Sequence, residues 1–174
     1  MIRDEAPAKV LRVDANTGWS VKQALRAIPM LEEYGVEFVE QPLPPADLEG
    51  LRLLRRRSRL PILVDESCRT THDLPGLVGA VDGINIKLAK CGSLREALRL
   101  IHAARAHGLQ VMLGCMIEST LGVAAALQLA PLVDYVDLDG AALLANDHFR
   151  GPGIEADGRL RFNQEPGLGV ARSA

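Results

Sequence analysis

Aromatic side chains are scarce. Three Phe, two Tyr and one Trp make up 3% of the 174 residues. Base-stacking platforms for single-stranded nucleic acid need more than this. Charge of one sign is also missing: 20 basic against 22 acidic residues leave a net charge of −2, so nothing marks a polyanion or an anionic membrane as partner. No run of about 18 apolar residues occurs, and no transmembrane span is expected. The start, MIRDEAPAK, is charged and has no apolar stretch, so no signal peptide is expected there. Cysteines are few: Cys68, Cys91 and Cys115 are odd in number and far apart, with no CxxC pair. Neither a zinc site nor a disulfide framework is signalled, and a reducing cytoplasm is the expected compartment.

What remains is a chain that is 48% hydrophobic, enough to bury the core of one domain. It alternates between two kinds of pattern. Strands are expected at 9–14, 36–40, 60–65, 83–88, 109–114 and 134–138, mostly rich in Val, Ile and Leu and bounded by Gly, Pro or Asp. Near-continuous apolar runs such as LPILV suit parallel strands buried on both faces. Helices are expected at 20–34, 47–57, 72–80, 93–107 and 119–130. In the first, Val21, Leu25, Ile28 and Leu31 form a face, and Pro29 should bend the helix or limit its start. In the fourth, Leu94, Ala97, Leu98 and Ile101 form a face, Ser93 and Glu96 match a capping box, and Gly108 ends it. Six strands with five helices between them give a parallel α/β architecture. The Gly/Pro-rich 141–174, with a short strand expected at 159–162, reads as a C-terminal extension.

Acidic residues close the first three expected strands: Asp14, Glu40 and Asp65. Lys87 closes the fourth. The gaps are 26, 25 and 22 residues, about one strand–helix unit each. In a parallel barrel the strand C-termini meet on one face, which carries the active site. Three carboxylates there suit Mg²⁺, and a lysine beside a cation is a candidate proton-transfer base. Lys90 lies beyond the strand end and reads as a solvated or supporting lysine. Asp137 and Asp139 are two apart, so on a regular strand both would face the same side. Glu118 stands after the fifth expected strand, where it would either face the site or cap the next helix with Ser119. His72, His102, His107 and His148 have no ligand spacing. Arg55, Arg56 and Arg57 read as a solvated helix end, where positive charge suits the dipole.

RVDANTGW, FVEQPLPP, ILVDES, INIKLAKCGS, GCMIESTLG and VDLDG, in that order and spacing, resemble the barrel domain of the enolase superfamily. Within it they are most similar to the muconate-cycloisomerase-like group and its dipeptide epimerases of the L-Ala-D/L-Glu type. The resemblance runs from about Val10 to Val170. It implies a partial (β/α)₇β TIM-type barrel covering strands three to eight, with the capping domain, the first two strands and their Lys-x-Lys motif absent. It further implies Mg²⁺, or Mn²⁺, on Asp14, Glu40 and Asp65, with Asn16 and Glu66 supporting them. Lys87 would be the acid–base group. Asp137 and Asp139 would hold the α-ammonium of a dipeptide, with Cys115 and Glu118 also at substrate-binding positions. The first strand's edge would be open to a partner, either another copy or a complementing N-terminal half. Three readings follow: an epimerase completed by another chain; a remnant that keeps the ligands without catalysis; or, within the family, a cycloisomerase or o-succinylbenzoate synthase.

Overall fold

A computed structural model describes residues 2–173. A short helix α1 (Ile2–Glu5) precedes six strands that form one parallel sheet: β1 (Leu11–Asp14), β2 (Val36–Glu40), β3 (Ile62–Val64), β4 (Gly83–Lys87), β5 (Gln110–Gly114) and β6 (Tyr135–Val136). They stand in sequence order, each hydrogen-bonded to the next. Helices α2 (Val21–Glu33), α3 (Leu48–Arg57), α4 (Leu74–Leu77), α6 (Leu94–Ala106) and α7 (Thr120–Leu127) connect them. The sequence does not announce α5 (Leu88–Cys91), a single turn directly after β4. The main core lies between sheet and helices, built by residues such as Val39, Ile62, Val64, Ile84 and Ile86 against Leu51, Leu54, Leu100 and Ile101.

The sheet is strongly curled. Phe38 on β2 and Tyr135 on β6 have ring centroids 4.9 Å apart, although three strands separate theirs. With Leu63 and Met112 they fill the concave side. Leu11 pairs with Val36 but Val13 with Val39, so Arg12 faces two residues of β2. That extra residue is a bulge, which bends the strand. Arg12 uses it: the guanidinium meets Glu37 at 2.7 Å and lies over the rings of Phe38 and Tyr135 at 5.2 and 5.0 Å. The first strand is thereby joined to the last across the interior. The result is an open portion of a TIM-type barrel.

The N-terminal ends of the strands carry a repeated clamp. Asp82 accepts from Arg55 at 2.7 Å and from the Ile62 amide at 3.0 Å. Asp134 accepts from Arg105 and from the Val111 amide, both at 2.8 Å. Each aspartate ties a helix to two strands. Removing one strands a backbone donor, so Asp82→Ala should lower stability by about 1–3 kcal/mol, read by urea denaturation.

Some expectations shift by one residue. In α2 the buried positions are Ala24 and Ile28, and Leu25 is exposed; in α6 Leu94 and Leu98 are exposed, while Leu100 and Ala104 are buried. Pro29 neither ends α2 nor limits its start, because it sits on the exposed face, where water can take the freed carbonyl. The expected capping box at Ser93 is half made. Ser93 accepts from the Glu96 amide at 3.2 Å, but the Glu96 carboxylate turns to the Thr71 amide and hydroxyl at 2.8 and 2.9 Å. A full box forms instead at Ser20 and Gln23. Beyond β6, two small antiparallel pairs, β7 (Phe149–Arg150) with β10 (Ala171–Arg172) and β8 (Gly153–Ile154) with β9 (Leu160–Arg161), pack beside α7.

Candidate functional site

The C-terminal ends of the strands open on a cavity of about 110 Å³. Asp14, Glu40, Asn85, Lys87, Cys115, Asp137 and Asp139 line it. Asp14 leaves β1 into a loop of unusual backbone, where Asn16 and Thr17 have positive φ, at 48° and 65°; Gln41, directly after β2, has φ 33°. Non-glycine residues in that region concentrate at functional sites. Asn16 holds Asp14 through its amide at 2.8 Å and its side chain at 3.1 Å. Gln41 is fully buried. It accepts from the Asp65 and Ser67 amides at 2.9 and 3.1 Å and donates to Leu43 and Ser67. The loops after β2 and β3 are thus one unit.

Glu40 and Asp65 are both buried. Burial pushes the Glu40 carboxyl up to about 7, with the charges of Asp14 and Asp65 adding to it and the Asn85 hydrogen bond opposing. That bond, 2.7 Å from the Asn85 amide, has no local sequence signal beyond alternation, which puts Asn85 and Lys87 on one face of β4. Gly114 makes it possible: a Cβ there would meet the Asn85 side chain at 2.7 Å. Asp65 takes two ammonium groups on Oδ2, Lys87 at 3.0 Å and Lys90 at 2.5 Å. Its Oδ1 is buried with no hydrogen-bond partner. Burial lowers the Lys87 pKa, but the bond to Asp65 and the charges of Asp65, Glu40 and Asp14 outweigh it, and the net shift is upward. Lys87 is therefore a held ammonium in this state.

Asp137 and Asp139 do not lie on a regular strand, since β6 ends at Val136. The alternation survives because Leu138 between them is buried, and both carboxylates line the cavity. Asp139 opens a 3₁₀ turn over Gly140–Leu143. The Gly140 amide donates to Cys115 Sγ at 3.2 Å, so Cys115 ties the loop after β5 to the Asp139 turn. Burial raises the Cys115 thiol, and the nearby carboxylates add to this against the Gly140 hydrogen bond. Glu118 is not part of the lining. It accepts from the Met116 amide at 3.2 Å and lies in the space a Cβ at Gly122 would need. Nor does it cap α7 with Ser119: Asp147 accepts from the Thr120 amide at 2.7 Å. Glu66 has a buried Oε2 without a partner.

Among the described residues, no three His, Cys, Asp or Glu side chains close tightly enough to grip one ion. Asp14, Glu40 and Asp65 face the same end of the sheet, each engaged by a neighbour. Their chemistry still fits a hard divalent cation: three carboxylates, one with an orphaned buried oxygen. Among the described residues, no helix is long and apolar enough to cross a membrane.

Comparison with known proteins gives a consistent pattern. The family described as enolase C-terminal domain-like matches residues 1–173. An L-Ala-D/L-amino acid epimerase from a Maribacter species is 46% identical over 159 residues, which are 91% of this chain and 47% of the relative. An L-Ala-D/L-Glu epimerase from Bacteroides thetaiotaomicron is 42% identical over 163 residues, 93% of this chain and 42% of the relative. The chain thus spans about half the length of these curated relatives. Among solved structures, a dipeptide epimerase from Enterococcus faecalis, complexed with Mg and the dipeptide L-Leu-L-Tyr, superposes with a TM-score of 0.91 at 38% identity. It covers 98% of this chain and 51% of that one.

Proposed function

The chain belongs to the enolase C-terminal domain-like family, and from that premise we propose that it is the barrel portion of a dipeptide epimerase. Its reaction is proton transfer at the α-carbon of the C-terminal residue of a dipeptide such as L-Ala-L-Glu. The observation that carries this reading is that Lys87 and the Asp137–Asp139 pair open on the same small cavity as Asp14 and Glu40.

Asp14, Glu40 and Asp65 would hold Mg²⁺, or Mn²⁺. When bound, the cation would stabilise the negative charge that develops on the substrate carboxylate as the α-proton leaves. Lys87 moves the proton. As a held ammonium it can donate; to accept, it must leave Asp65 and lose its proton. Asp137 and Asp139 take the dipeptide's α-ammonium by charge-assisted hydrogen bonds, and Cys115 positions the turn that presents Asp139. All three cysteines are free, which supports a reducing cytoplasm as the compartment.

Incubation of the 174-residue chain with L-Ala-L-Glu and Mg²⁺ in D₂O, followed by NMR and chiral analysis, tests the reading. Epimerisation needs a second acid–base group on the opposite face, and Lys87 is the only lysine among the described residues that lines the cavity. Slow deuterium incorporation at the glutamate α-carbon without inversion is expected. No incorporation would sink the reading, and fast inversion would contradict the single-lysine site. In the same assay Asp139→Asn should raise the half-saturating dipeptide concentration by about 10- to 100-fold, the worth of one charged hydrogen bond. The maximal rate should change less, because the ammonium is remote from the reacting carbon. Unchanged half-saturation would favour a substrate without an ammonium, as for a cycloisomerase or synthase.

A further inference from the structure

Two ammonium groups meet one carboxylate oxygen at this site. Lys87 reaches Asp65 Oδ2 at 3.0 Å and Lys90 reaches the same atom at 2.5 Å. Helix α5 makes this possible. It begins immediately after Lys87 and lasts one turn, so Lys90, three residues on, comes back over the strand end. Gly92, with φ 81°, then stops it. All three side chains are largely excluded from water, at 15% exposure for Lys87, 16% for Lys90 and 3% for Asp65. Charges in such a setting act on each other more strongly than on the surface. The other oxygen of Asp65, Oδ1, is buried and unpartnered. Neither Asp65 nor Lys90 is in the lining of the cavity, which Lys87 reaches.

We propose that Lys90 is a positioning residue with two linked effects: it occupies Asp65 Oδ2 so that Lys87 can leave for the substrate, and its fixed charge weakens the hold of Asp65 on a divalent cation at Oδ1. The inference rests on the reading of Asp14, Glu40 and Asp65 as cation ligands. Three carboxylates facing two lysines leave one net negative charge for the cation; without Lys90 there are two. Cation affinity follows ligand charge. Orientation is lost only in small part, because Gln41 fixes the Asp65 backbone amide at 2.9 Å and the side chain is enclosed. The charge effect therefore outweighs the loss of a tether, and removal of Lys90 tightens cation binding.

Titration calorimetry of the 174-residue chain with Mg²⁺ alone and with Mn²⁺ alone tests this. Lys90→Met, which keeps the apolar stem, should bind both ions on the order of tenfold more tightly than the unmodified chain. Lys90→Gln should also bind more tightly, since it removes the charge but can still donate to Oδ2; it serves if the methionine form does not fold. Lys90→Arg, which keeps the charge, should return the affinity to within about threefold of the unmodified chain. A merely structural lysine gives the opposite sign, because damage to the site weakens binding. Equal or weaker binding by both neutral variants, with the unmodified chain binding normally, would overturn the role of Lys90 alone. Failure of every form to bind would overturn the cation reading beneath it. Binding by the neutral variants only would support the inference in its strongest form.

Discussion

Lys87→Met is expected to slow deuterium exchange at the dipeptide α-carbon by about 10²–10⁴-fold, the usual worth of a positioned acid–base group. Lys87 ends β4 and lines the cavity, and Lys90 stays outside that lining. No other described ammonium is placed to substitute for it. The variant should still fold. Methionine keeps the apolar stem, and Asp65 retains Lys90 as its partner at 2.5 Å, so no buried carboxylate is left alone. Exchange measured beside a thermal melt separates lost chemistry from lost structure. A folded Lys87→Met chain that exchanges within threefold of the unmodified one would remove Lys87 from the mechanism.

Glu40→Gln is expected to stabilise the chain in alkaline, cation-free buffer by about 3 kcal/mol, and to do almost nothing near pH 4. Burial raises the Glu40 carboxyl from an ordinary 4.5 to about 7. Between those values the folded chain keeps a proton that the unfolded chain has released. Stability is therefore fully present below about pH 4.5, falls as pH rises, and has lost this contribution above about pH 7. Glutamine never ionises and can still accept from the Asn85 amide, so the variant escapes the fall. Urea denaturation at pH 4 and pH 8 in the presence of EDTA measures both ends. A constant difference between the two proteins across pH would show that Glu40 is not the group responsible. The same shift has a functional meaning: a carboxylate that is reluctant to ionise when alone is relieved when a cation arrives.

The four residues that end strands were legible in the sequence for a physical reason. A strand buried on both faces must be apolar until it reaches the open end of the sheet, so Asp65 directly follows the apolar run of β3, and Asp14, Glu40 and Lys87 stand at the last positions of β1, β2 and β4. The same rule hid Asn85. It lies inside the strand, where its place on the cavity side and its bond to Glu40 at 2.7 Å accommodate a polar side chain. Lys90 lies beyond the strand end, and a single turn such as α5 has too few residues to show a periodicity; that turn brings Lys90 onto Asp65. The bulge at Glu37 and Phe38 has no local sequence signal, because the residue it faces, Arg12, lies 25 residues from Glu37 in sequence. Hydrophobic periodicity places Leu25 and Leu98 on buried faces because leucine outweighs alanine in any hydrophobic pattern. Close packing of helix on sheet instead selects the small Ala24 and Ala104, both fully buried. Asp147 caps α7 from 27 residues downstream, a distance no local capping pattern covers.

The most direct test of the account is where a divalent cation binds. Mn²⁺ broadens nuclear resonances around its own position, so titrating it at substoichiometric levels into the isotope-labelled 174-residue chain maps the site. The account predicts that amide signals near Asp14, Glu40 and Asp65 disappear first, that Mg²⁺ in excess restores them, and that Asp65→Asn abolishes the effect. Broadening centred elsewhere, or broadening at these residues that persists unchanged in Asp65→Asn, would contradict it.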